Sequence, residues 1–155
     1  MKLTFLLAAL VTVGIAQNIV PDPSVTPGLS NQEVTQQNIK QTICKAGWTK
    51  TIRPSASYTN KLKIKQMDSA GIKGNPADFE EDHFISLEIG GNPTDPRNLW
   101  PEPYEPRPGA REKDQVEDYL HRQVCSGKMT LKAAQAAIVA GWPKLYSQIH
   151  AAKKK

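Results

Sequence analysis

Past Ile15 this sequence never again gathers an apolar run long enough to span a bilayer, because charged residues recur throughout. A membrane-crossing helix needs roughly 20 apolar residues. Cysteine is almost missing: there are two, Cys44 and Cys125, with no Cys-x-x-Cys pair. That argues against a thiolate metal site or a catalytic cysteine. No internal repeat is visible, which removes the repeat architectures. Aromatic residues make up only 6% of the chain, and there are three histidines.

What is present begins at the first residues. Lys2 supplies a positive start, Leu3 to Ile15 is apolar apart from Thr4, Thr12 and Gly14, and Gly14-Ile15-Ala16 offers small residues where a signal peptidase reads. Residues 1–16 are therefore expected to be a cleavable signal peptide, and the remainder to work in the periplasm or outside the cell. A buried N-terminal helix would instead show a polar face. Two cysteines in an exported chain favour a Cys44–Cys125 disulfide over two free thiols.

Removing Lys2 with the signal lowers the formal charge from +5 to +4. The roughly 140 residues left are one domain's worth. Much of the positive charge lies in Lys61, Lys63, Lys65, Lys73, Arg107, Arg111, Lys113 and the 153–155 tail. A basic surface favours polyanions such as nucleic acid or anionic headgroups.

Residues 17–40 are rich in Pro, Ser, Thr and Asn without periodicity and are expected to form an extended leader into one domain at 41–152. Val34 to Cys44 suits a short helix or turn. Gly47-Trp48-Thr49 and Arg53-Pro54 suggest extended structure, since proline disfavours helix at the residue before it. Tyr58 to Met67 predicts a short helix. Phe79 to Ile89 is a strand-like run, Gly90 to Arg97 a loop by its Gly, Pro and Asn content, and Asn98-Leu99-Trp100-Pro101 the return. The proline-rich stretch from Pro101 to Gly109 must be extended. A helix is predicted from Ala110 to Cys125 with Gly127 as its stop. A last one, capped by Thr130, runs from Leu131 to about Ala151 and is interrupted near Gly141-Trp142-Pro143.

Two groups of residues could carry chemistry. Asp82-His83 lies in the strand-like run. On the Ala110–Cys125 helix, at about 100° per residue, Asp114, Glu117 and His121 fall in one arc bordering Leu120 and Val124. Glu117 and His121 are an i, i+4 pair, able to share a metal or to bond each other. A solvated face with a Glu–His ion pair explains that spacing equally well.

Taken together, Asp82-His83, a Gly-Gly loop, Asn98-Leu99 and a helical His121 resemble the HNH branch of the ββα-metal (His-Me finger) endonucleases. The resemblance covers Glu81 to about Gly127. The flanking Thr42 to Cys44, Gly47 to Thr49, Arg53-Pro54 and Tyr58-Thr59 are similar to bacterial exported proteins of HNH-like type. The resemblance implies that His83 is the general base that activates water and that Asn98 holds the loop orienting His83. It also implies that Asp82 and His121, or Glu117, or both helix residues, ligate one divalent metal ion such as Mg²⁺ or Zn²⁺. An imidazole titrating near neutrality suits the first task, and a divalent ion would place positive charge on the scissile phosphate. This chain departs from the family in having Ser86 where a proline follows the Asp-His pair and in a long gap from Asn98 to His121.

The expected fold is α+β, a small ββα-metal hairpin-plus-helix core surrounded by further helices. The expected activity is metal-dependent hydrolysis of DNA or RNA. Two alternatives carry different expectations. One is a basic binding module that uses Trp48, Trp100, Tyr104 and lysines to hold nucleic acid or cell-wall polymer without cleaving it. The other is a degenerate nuclease fold kept for structural purposes. His150, near the lysine tail, reads as a surface residue.

Overall fold

A computed structural model describes residues 19–152. The expected signal peptide and the lysine tail lie outside the described residues. In chain order the elements are helices α1 (Trp48–Ile52) and α2 (Ala56–Ala70), strands β1 (Phe79–His83) and β2 (Leu99–Pro103), and helices α3 (Ala110–Cys125) and α4 (Leu131–Ala152). The α+β expectation holds: β1 and β2 form one antiparallel two-stranded sheet in which Asp82 pairs Trp100 and His83 pairs Leu99.

The helices start and stop for local reasons. Ser55 caps α2 by accepting from the Tyr58 amide, and Gly71 ends it in the left-handed region at φ 65°. Thr130 accepts from the Ala133 amide at the start of α4. Gly141, at φ 146° and ψ 77°, breaks α4 two residues before Pro143, where the sequence predicts an interruption. Gly47 to Ile52 differs from the extended structure expected there: Trp48–Ile52 is a short helix, and Pro54 acts only at its end, where Arg53 is extended.

The strand predicted from Phe79 to Ile89 also ends early, at His83. Ser86 accepts from the Glu88 amide and opens a 3-10 turn over Leu87–Ile89 that Gly90 closes at φ 74°. The hydrophobic run Phe84-Ile85-Leu87-Ile89 is apolar because it enters the core, not because it pairs in a sheet. That core lies between the turn, α3 and α4, where Ile89, Val116, Leu120, Val124, Ile138 and Trp142 have no exposed surface.

Residues 19–40 are irregular, as their composition predicts, but they are not a leader standing off the domain. Thr26, Val34 and Ile39 are buried. The Gly28 amide bonds the Arg97 carbonyl, Asn31 bonds Gly90, and the Asn92 amide bonds Leu29. These bonds lay the segment along the Gly90–Arg97 loop, so residue 40 marks no boundary between leader and domain.

The Cys44–Cys125 disulfide is formed and spans 81 positions of sequence. Among the described residues no helix is long and apolar enough to cross a membrane.

Candidate active site

The period-two geometry of β1 sends its side chains to two places. Glu81 and His83 share one face and line a cleft of about 340 Å³ whose other wall includes Arg53, Asn60 and Lys63. Asp82 points the other way, to α3, where its Oδ2 meets the Lys113 ammonium at 2.5 Å.

His83 sits at the end of β1 and its Nε2 lies 2.9 Å from the Pro93 carbonyl oxygen. A carbonyl can only accept, so Nε2 carries the proton and the lone pair is on Nδ1. No hydrogen bond to another described residue engages Nδ1. Burial lowers the imidazole below its ordinary value of 6.5, against the Pro93 bond and the Asp82 charge, which raise it. Near neutral pH it is an uncharged base.

Asn98 ends the short 3-10 turn Pro96–Asn98 that leads into β2. It is fully buried, and its amide donates to the carbonyls of Ile85 and Asn92 at 3.0 and 2.9 Å. Its Oδ1 accepts from the amides of Ile85 and Leu29 at 3.0 and 3.1 Å. One side chain thus ties together the end of the His83 turn, the loop that carries Pro93, and the 19–40 segment. Gly91 is required beside it, because a Cβ there would stand 1.6 Å from the Ile85 oxygen.

The helix side of the site differs from the expected ligand set. Lys113, counted in the sequence among surface charges, is completely buried. Its ammonium bonds the Asp82 carboxylate, the Glu117 carboxylate and, at 2.9 Å, the backbone oxygen of His83. The buried Glu102 carboxylate lies 3.8 Å away, and neither of its oxygens has a hydrogen-bond partner. One ammonium cannot balance three carboxylates in a desolvated space. Burial pushes Asp82 up, but Lys113 and its hydrogen bonds outweigh that and hold it at about 2. Burial pushes Glu117 up to about 8 and Glu102 well above the ordinary range. Burial alone would lower Lys113; the surrounding carboxylates hold it well above its ordinary value.

Asp82 and Glu117 are therefore brought together, as the ligand expectation requires, but around a lysine. His121 is not brought to them. It lies one turn further along α3, where its Nε2 is 3.0 Å from the Ile43 carbonyl oxygen. Among the described residues, the metal-type ligand atoms that come within 4.8 Å of one another are those of Cys44, His121 and Cys125. The two sulfurs of that group are joined to each other, and disulfide sulfur is not the thiolate that binds metal. Of the residues expected to hold a divalent ion, Asp82 and Glu117 already share an ammonium and His121 serves the disulfide corner. The donor set does not fit a metal.

Two contributors escaped the sequence. Lysine is almost never fully buried unless paired, so Lys113 read as surface. Its position, three residues before Val116 and seven before Leu120, puts it on the buried face and one turn from Glu117. That signal was available. Glu102 had none, because every residue of β2 is buried and alternation is lost. The tryptophans of the binding-module alternative belong to the core: Trp100 is buried, and Trp48 is half-buried and packs against the same cluster. Tyr104 lines the cleft, with the Arg111 guanidinium 4.9 Å from its ring centre.

The cleft is cationic on one wall. Arg53 is exposed and forms no ion pair among the described residues. The Lys63 ammonium bonds the carbonyls of Pro76 and Phe79 at 2.7 Å each, which fixes α2 against β1 while keeping its charge at the cleft. On the other wall, burial pushes Glu81 up to about 8, with Lys63 opposing, and its two carboxyl oxygens have no hydrogen-bond partner. No protein-family model, curated protein or solved structure matches this chain.

Proposed function

We propose that this protein hydrolyses phosphodiester bonds in nucleic acid, with His83 as general base, and that it works after export. The observation that carries the proposal is the state of His83: an imidazole uncharged near neutral pH, held through Nε2 by the Pro93 carbonyl, with Nδ1 unengaged, in a cleft that also presents Arg53 and Lys63. Two further points support it. The hairpin-then-helix order and the Asn98 latch agree with the resemblance to HNH endonucleases, and the disulfide suits an oxidising compartment.

In the step proposed, Nδ1 takes a proton from a water molecule as its oxygen forms a bond to phosphorus. The ester P–O bond breaks, and the leaving oxygen keeps that electron pair and takes a proton from solvent. Arg53 and Lys63 face the negative charge that accumulates on the phosphoryl oxygens, where a fixed cation acts more strongly than it would in water. No step is assigned to a divalent ion at Asp82, Glu117 and His121, because Lys113 already joins the two carboxylates.

The purified protein should be incubated with supercoiled plasmid, linear duplex, single-stranded DNA and RNA, and the products resolved. Cleavage of at least one substrate, with an Arg53→Ala loss of roughly 10- to 100-fold, is expected from removing a charge-assisted bond to phosphate. Saturable binding to all four without cleavage would favour the binding module.

A further inference from the structure

The centre of this molecule holds an ion pair where the resemblance leads one to expect a metal. Lys113 starts on the first turns of α3, has no exposed surface, and reaches the backbone of the base itself. Its ammonium donates to the His83 carbonyl, and the Asp82 carboxylate it neutralises accepts from the His83 amide at 2.8 Å. Both backbone polar groups of His83 are thereby fixed from one point. The Glu117 carboxylate, one turn along the helix, holds the ammonium from the other side. A divalent ion at this point would have to lie beside the lysine or displace it, and displacement would leave a buried ammonium unpaired, which is strongly unfavourable.

We infer that Lys113 is a built-in cation that takes the place of a divalent metal between Asp82 and Glu117, so that this centre positions His83 without binding any metal. Lys113 does not touch substrate, because it is wholly enclosed. It is a positioning residue that acts through the Asp82 carboxylate and the His83 carbonyl. The consequence for phosphodiester cleavage rests on the hydrolase reading above; the consequence for metal binding does not.

The test uses the whole exported protein and Mn²⁺ alone as the probe. Calorimetric titration of the parent should show no uptake at the Asp82 centre with a dissociation constant below about 1 mM. Any cleavage it performs should run at the same rate with excess chelator. Lys113→Ala empties a space among three carboxyls. That variant should gain Mn²⁺ binding that Asp82→Asn removes, and propylammonium, which replaces the atoms beyond Cβ, should restore lost cleavage and melting temperature. Stoichiometric Mn²⁺ uptake by the parent, abolished by Asp82→Asn, would overturn the inference, as would a folded Lys113→Ala protein with no affinity for Mn²⁺. The parent titration decides the matter even if the alanine variant does not fold. Absence of cleavage on every nucleic acid would count against the hydrolase reading alone, because the metal titration still judges Lys113.

Discussion

At the scale of single residues, His83 and Glu81 share one face of β1 and are displaced from their ordinary titration in opposite senses. Burial lowers His83 below 6.5, so the native protein binds fewer protons there than the unfolded chain does. Its contribution favours folding above pH 6.5 and erodes as pH falls through that value. Burial raises Glu81 from 4.5 to about 8, so its contribution is complete below pH 4.5 and is lost as pH climbs through about 8. Thermal melts of the parent should show the Glu81 share as a falling stability across that interval, and Glu81→Gln should flatten it; parallel slopes in the two proteins would contradict the assignment. For the cleavage proposed above, the same lowering of His83 would put the acid limb of kcat/KM below pH 6.5, which a pH-rate profile reads directly. Asn98 offers a purely structural counterpart. Asn98→Ala leaves partners on Ile85, Asn92 and Leu29 unsatisfied in a buried place, and a loss of about 3 kcal/mol or more is expected by denaturant unfolding.

At the scale of elements, the helix that carries Lys113 and Glu117 is secured at both ends by different means. Near its start the buried ammonium joins it to β1, and at its last residue Cys125 joins it to Cys44. Closing a loop of 81 positions corresponds to about 4 to 5 kcal/mol in the chain-entropy model. Reduction should therefore lower the melting temperature sharply and expose two thiols, whereas the native protein should titrate none. His121, whose ring meets the Ile43 carbonyl beside this bridge, belongs to that corner. The sequence placed it on the correct helix, but helical arc alone cannot say which of Asp114, Glu117 and His121 meets β1. Where α3 crosses the hairpin decides that, and the crossing is a tertiary fact. The helix limits themselves were legible because capping and stop residues are local. The apolar run beyond His83 suggests a strand that does not form, since such a run has the same composition whether it pairs in a sheet or turns into a core. Ser86 and Gly90, the residues that force the turn, also stand in ordinary loops. Gly91 was legible only as part of a loop; its necessity comes from the Ile85 carbonyl, six residues earlier in the chain. Gly91→Ala should accordingly destabilise the protein by roughly 3 kcal/mol or more, with the Ile85 carbonyl the first group disturbed and the Asn98 amide the next.

Across the whole molecule, one domain draws on nearly all of the described chain, including the 19–40 segment that composition alone assigns to a leader. Irregular backbone can be part of a core when its polar groups find partners. Here they do, against the Gly90–Arg97 loop and through Asn98. The net charge of +5 has a focused expression in Arg53 and Lys63 on one wall of the His83 cleft. If phosphates are held there, binding should weaken steeply as salt rises, with a slope set by the phosphates neutralised. Arg53→Ala should make the slope shallower by about one. A flat response measured by fluorescence anisotropy would point to an uncharged ligand.

His83 as general base is the centre of the proposed function. The direct measurement is the single-turnover rate of phosphodiester cleavage by the parent and by His83→Ala under identical conditions, with binding affinity and melting temperature recorded for both. Loss of a general base costs on the order of 10² to 10⁴ in rate. A fall of that size, with nucleic-acid affinity unchanged and the fold intact, is the expected result. A His83→Ala protein that cleaves as fast as the parent would contradict it.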